Sequence, residues 1–146
     1  MARIMNRSIS ILAAITVLFI QNAAIAGQAS IGPAKTAEQF YAGYLALVKT
    51  EKDTRSWVAK SNIVTAHFKR WYAKQMSDKS VEADPVLEAQ DTPTTPFKAI
   101  KTTIDGQGSK ATVIVTAKYS DETEKLSIRM VRTDGVWQVD SVSAVK

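Results

Sequence analysis

An α+β fold, helices first and an antiparallel sheet after them, follows from three features of this chain. Apolar residues recur at spacings of three and four up to Met76, and from Phe97 onward they alternate. Between the two halves lies Ala83-Asp84-Pro85-Val86-Leu87-Glu88-Ala89-Gln90-Asp91, with Pro93 and Pro96 close behind. Asp84-Pro85 reads as a helix start, since the carboxylate accepts from free first-turn N–H groups and proline fits the first helical position. The later prolines stop that turn and open the chain into extended structure. At 146 residues and 45% hydrophobic content the chain suits one globular domain.

The first 26 residues are excluded from that domain. Arg3 and Arg7 form a positive start, Ile9 to Ile20 is apolar except for Ser10 and Thr16, and Ala24-Ile25-Ala26 is a small-x-small cleavage pattern. This predicts a secretory signal peptide over 1–26, with the exported chain beginning at Gly27 and no stable membrane anchor after cleavage. The apolar run is shorter than the roughly 20 residues that span a bilayer. Without Arg3 and Arg7 the chain carries 17 basic and 14 acidic side chains, a charge of +3. That excess is too small to argue for nucleic acid. The chain has no cysteine, which excludes disulfides, thiolate metal sites, a cysteine nucleophile and a lipid-modified cysteine.

In the mature chain, 27–33 reads as a flexible leader and 34–146 as one α+β domain. Thr36 and Gln39 form a capping box opening the first helix. Ala37, Phe40, Tyr41, Tyr44, Leu45 and Val48 make its apolar stripe, while Ala42, Gly43 and Ala46 give a flat, small-residue opposite side. Lys49 to Arg55 is a charged connector. A second helical region covers about Ser56 to Met76, with Ser61-Asn62 as a point where it can break. Val64, Phe68, Trp71 and Tyr72 share its apolar face, beside a basic stripe of His67, Arg70 and Lys74. Aromatics interleaved with basic residues can bind nucleic acid, but core on one side and solvent on the other is the simpler account.

Four strands then follow: Phe97 to Asp105, Ala111 to Tyr119, Glu124 to Arg132, and Val136 to Val142. Gly106-Gln107-Gly108 closes the first hairpin, and Asp134-Gly135 is a strong turn signal before the last strand. Trp137 and Val139 are assigned inward, and Asp140 away from them. A sheet with one apolar face needs a cover, which the helices supply.

Phe40-Tyr41 with Tyr44-Leu45, the joint from Asp84-Pro85 to Gln90-Asp91, and Gly135-Val136-Trp137-Gln138-Val139 with Val142 also carry a resemblance. On these residues the chain resembles a family of small, uncharacterised bacterial envelope proteins with a nuclear-transport-factor-2-like fold, some of them lipid-anchored. The resemblance implies a bent sheet wrapped around the first helix as a cone, open to a ligand or filled by side chains, and a periplasmic address. It implies no activity, because that superfamily hosts enzymes, carriers and interaction modules alike.

Candidates for chemistry are few. His67 is the only histidine, and a lone histidine at the edge of a basic stripe is more often a surface residue than a general base. Asp84 has a structural role as a cap, and Asp91, before Thr92-Pro93, as a turn-former. Asp105 and Asp134 sit in turns. No metal-ligand spacing, Gly-x-Ser-x-Gly motif or phosphate loop is present, so no metal or cofactor is predicted. Two function classes remain. One is a non-catalytic exported binding module for an envelope protein partner or a small apolar ligand, in an accessory or immunity-type role; a homodimer is compatible with it. Its candidate contact residues are Tyr41, Tyr44, Trp71, Tyr72, Tyr119, Ala42, Gly43 and Ala46, with Asp84, Pro85, Gln90 and Asp91 as the structural joint. The other is a hydrolase, isomerase or dehydratase using His67 with Asp84 or Asp91, which requires the imidazole within hydrogen-bond reach of a carboxylate inside the fold.

Overall fold

Residues 31–145 are described by the structure, a computed structural model; the predicted signal peptide and residues 27–30 lie outside them. Helix α1 spans Pro33–Val48, α2 Thr54–Lys60 and α3 Ala66–Gln75. Strands β1 (Lys98–Ile104), β2 (Lys110–Lys118), β3 (Thr123–Thr133) and β4 (Val136–Ala144) form one antiparallel sheet in the order β1-β2-β3-β4. The protein is α+β, with three helices packed against a four-stranded meander.

Helix α1 starts earlier than its capping-box signature predicts. Pro33, assigned to the leader, occupies the first helical turn, where its missing N–H costs nothing. Gly32 takes the cap position without a side-chain bond, and Thr36 Oγ1 instead donates back to the Gly32 carbonyl at 3.1 Å. The apolar stripe behaves as its spacing requires: Ala37, Phe40, Tyr41, Tyr44 and Leu45 are buried against the sheet.

The predicted second helical region is two helices. Asp53 caps α2 by accepting from Ser56 N at 3.0 Å, and Thr65 caps α3 by accepting from Phe68 N at 3.1 Å. Between them the chain runs along the outer edge of β4. Val139 N donates to Ile63 O and Thr65 N to Val139 O, both at 2.9 Å. This parallel bridge satisfies edge groups of β4 that would otherwise face solvent. The β1 edge receives one side chain there, Glu38 Oε1, which accepts from Ala99 N at 3.1 Å.

Strict alternation in β2 buries Ala111, Val113, Val115 and Ala117, and β3 buries Leu126, Ile128 and Met130. Arg129 pairs with Ser141 but Met130 with Val139, so Asp140 is an extra, bulged residue. The bulge resets the alternation, and Trp137, Val139 and Val142 all reach the core. A second register shift falls at Ile100 in β1. Asp134 and Gly135 both have positive φ, 50° and 79°, as the tight β3–β4 turn demands.

The joint forms no helix. Asp84 Oδ1 accepts from Val86 N at 2.8 Å and Leu87 N at 3.0 Å, the contacts of an N-cap. The turn ends at once, because Glu88 adopts φ 54° and Asp84 N closes onto Ala89 O at 2.9 Å. One turn suffices to drive Val86 and Leu87 into the core. Trp137 is 4% exposed, so Trp137→Ala is expected to cost about 3–5 kcal/mol through cavity formation. Urea unfolding measures it, and an unmoved midpoint would place the ring outside the core.

Candidate functional site

The polar centre of the molecule lies where the α1 stripe meets the Asp84 turn. The Tyr44 hydroxyl donates to Asp84 Oδ2 at 2.8 Å and lies 3.1 Å from the Tyr72 hydroxyl. Tyr72 donates onward to Thr54 Oγ1 at 2.8 Å. Tyr41 donates to the Val86 carbonyl at 3.1 Å. Around these hydroxyls the rings pack edge-on and stacked. Tyr41 sits 4.1 Å from Phe97, and Phe40 bridges to Tyr44, Trp57 and Phe68. The space between helix and sheet is therefore filled with side chains.

This arrangement does not suit proton transfer. Burial, then the Asp84 charge, raises the Tyr44 hydroxyl far above the ordinary phenol value. Burial also raises Tyr41 and Tyr72, so all three remain protonated donors at neutral pH. Both Asp84 oxygens are engaged, by two backbone N–H groups and a tyrosine. His67 is exposed and makes no hydrogen bond or ion pair among the described residues; Asp91 and Gln90 are exposed as well. The pairing of His67 with Asp84 or Asp91 that an enzyme would need is not formed.

Several candidate contact residues lie elsewhere than their pattern suggested. Tyr41, Tyr44 and Tyr72 are at most 1% exposed and Tyr119 9%, so they serve the core and not a contact surface. Trp71 is half-buried, its ring 5.2 Å from Phe68, and Pro85 is half-buried in the joint. Ala42 and Ala46 are exposed. Gly43 is not on a free back face, because Trp57 lies over it; a Cβ there would come 2.8 Å from the Trp57 ring. Trp57 went unassigned in the sequence because only the α1–α2 fold-back brings it to Gly43.

Among the described residues, open grooves of about 680, 440 and 320 Å³ mark the surface. They lie beside Trp57 and Lys60, near Asp105 and Arg129, and between α2 and α3; none is lined by His67, Asp84 or Asp91. Among the described residues no group of three His, Cys, Asp or Glu side chains could hold a metal, and no helix is long and apolar enough to cross a membrane.

Two outcomes follow. Gly43→Leu is expected to destabilise the fold by about 1–3 kcal/mol, because the added side chain must displace Trp57 from Phe40 and Tyr44. Thermal unfolding and Trp57 fluorescence would report it. The second concerns alkaline pH. Burial and the Glu124 charge push Tyr119 up to about 12, and its hydroxyl has no hydrogen-bond partner among the described residues. A phenol whose folded pKa is raised contributes stability that is complete below its unfolded value of 10.0 and is lost as pH rises through the folded one. Stability should therefore hold to about pH 10 and decline between about 10 and 12, with Tyr119→Phe reducing that decline. Denaturant midpoints across this range are the test.

No family model matches the sequence, and no curated protein does. Among solved structures the chain is similar to a chain from the crystal structure of the type VI native effector–immunity complex Tae3-Tai3 from Ralstonia pickettii. The TM-score is 0.63 at 14% identity, over 79% of this chain and 96% of that one. At that identity the likeness is one of fold.

Proposed function

We propose that this protein is an exported, non-catalytic binding module for another exported protein, in an accessory or immunity-type role. The observation that carries the reading is the condition of the polar centre. Its one carboxylate is consumed by structural bonds, its phenols are held protonated, and the only histidine stands exposed and apart from that network. The fold shared with a chain from an effector–immunity complex supports a protein partner. The filled interior favours such a partner over a small apolar ligand. Export rests on the charged and apolar pattern of residues 1–26 and on the resemblance to envelope proteins. The bent, nuclear-transport-factor-2-like cone is the finer form of the fold in this reading.

The test is affinity capture from envelope extract with the mature chain, followed by reconstitution of any captured protein from purified components. A stoichiometric complex is expected, with His67→Ala leaving its Kd within a few-fold of wild type. A turnover reaction by the purified chain that His67→Ala abolishes, with the fold intact, would overturn the reading.

A further inference from the structure

The strand register divides the sheet into two chemically different faces. Most residues paired with the core positions are apolar, with Thr102, Glu124 and Arg132 toward the strand ends and the β1 edge as exceptions, whereas the alternate positions carry a different set. On β1 these are Lys98, Lys101 and Thr103; on β2, Lys110, Thr112, Ile114, Thr116 and Lys118. Thr123, Lys125, Ser127, Arg129, Val131 and Thr133 continue the face on β3. It therefore has six cations, two from each of three strands, and these three strands place no carboxylate on it. All six cations are exposed, and none makes a salt bridge among the described residues. The carboxylates at its margins are Asp121 and Glu122 in the β2–β3 turn beyond Lys118, and Asp105 and Asp140, which have other work. Asp105 accepts from Ser109 N and Lys110 N in its own turn, and Asp140 accepts from Thr65 Oγ1 at the β4 edge at 2.7 Å.

This is a segregation of charge, beyond a merely basic composition. In the chain read from Gly27, taking these six from 17 lysines and arginines leaves 11 against 14 acidic side chains, so the rest of the exported chain is net negative. Lys98 and Lys125 flank Thr116 on neighbouring strands, roughly 10 Å apart. That is about one Debye length at 0.1 M salt, so these charges act together on an approaching anion.

We propose that this outer face docks the carboxylate-bearing surface of a protein partner, with Lys98, Lys101, Lys110, Lys118, Lys125 and Arg129 around a centre of Thr112, Ile114, Thr116 and Ser127. The inference rests on the binding-module reading and adds the surface and the partner's charge. The centre's short, half-buried hydroxyl and aliphatic side chains can be desolvated cheaply, and the cations lie toward the periphery, the layout of a protein–protein contact. A lipid surface would call for apolar or aromatic groups to insert, and single-stranded nucleic acid for stacking rings. The outward positions of β1, β2 and β3 hold no aromatic residue, and their apolar side chains, Ile114 and Val131, are half-buried between neighbours instead of projecting.

The test uses the mature chain with poly-L-glutamate as the anionic polypeptide probe, and vesicles of phosphatidylglycerol and phosphatidylcholine as the lipid arm. Lys101→Glu/Lys125→Glu/Arg129→Glu is compared with wild type and with Lys49→Glu/Lys52→Glu/Lys60→Glu on the helical side; the corresponding Gln variant covers misfolding of the first. Poly-glutamate affinity is expected to fall by about tenfold or more in the sheet-face variant, to fall less in its Gln form, and to hold in the helical control. It should also weaken between about 50 and about 300 mM salt. Equal loss in both charge-reversed variants, or no loss in either, overturns the proposal. Vesicle binding that the sheet-face variant alone loses overturns it in favour of a membrane. An exported protein captured equally by wild type and the sheet-face variant overturns this surface while leaving the binding-module reading intact. Turnover by the chain defeats that reading instead, and selective loss of poly-glutamate binding still supports the face.

Discussion

Burying tyrosines along one helix stripe creates an obligation that shapes much of this structure. Their rings fill the space between α1 and the sheet, but each hydroxyl must find a partner inside or remain unsatisfied at a cost of about 1–3 kcal/mol. The Asp84 turn meets this need at two points. Its carboxylate receives Tyr44, and the Val86 carbonyl within the same turn receives Tyr41. Tyr72 on α3 and Thr54 on α2 extend the chain of hydroxyls from Tyr44, so all three helices and the joint are tied through it. The joint is thus short for a reason. It has to present one carboxylate and one carbonyl inward while burying Val86 and Leu87 beside them.

The same constraint bears on chemistry. A carboxylate in an apolar interior is often read as a catalytic group. Here Asp84 accepts two backbone N–H groups and a phenol, which leaves it little capacity to exchange protons with a substrate. Tyr119 is the exception among the inner tyrosines, since its buried hydroxyl finds no hydrogen-bond partner among the described residues. Its ring lies on the core side of the sheet's end, near the charges of Glu124 and Asp84. That hydroxyl is a local weakness in an otherwise satisfied interior.

The sheet separates two tasks by alternation. One face closes the core, and the other displays lysines, an arginine and short hydroxyl side chains to solvent. The two bulges matter to this division, because each changes which face the following residues take. At Asp140 the shift brings Val142 inward after Trp137 and Val139, and it leaves the Asp140 carboxylate at the β4 edge for Thr65. The 63–65 segment then covers part of that edge, whereas β1 remains the more open side of the sheet.

Periodicity alone was enough for the α1 stripe, the order of helices before strands, the meander and the inward side of Trp137. Those are local consequences of 3.6- and 2-residue repeats, and of turn residues such as Asp134-Gly135 that accept positive φ. Periodicity could not show that Asp84-Pro85 opens a turn and not a helix, because the turn ends where Glu88 adopts φ 54° and Asp84 N closes onto Ala89 O. Nor could it show that Trp57 covers Gly43, or that Tyr41 and Tyr44 donate their hydroxyls to the joint and Tyr72 donates to Thr54. The basic residues of β1, β2 and β3 were visible one at a time, but strand pairing gathers them onto one face. Contacts between residues distant in sequence decided each of these, since a hydroxyl or an indole finds its partner through the fold and not through its spacing along the chain.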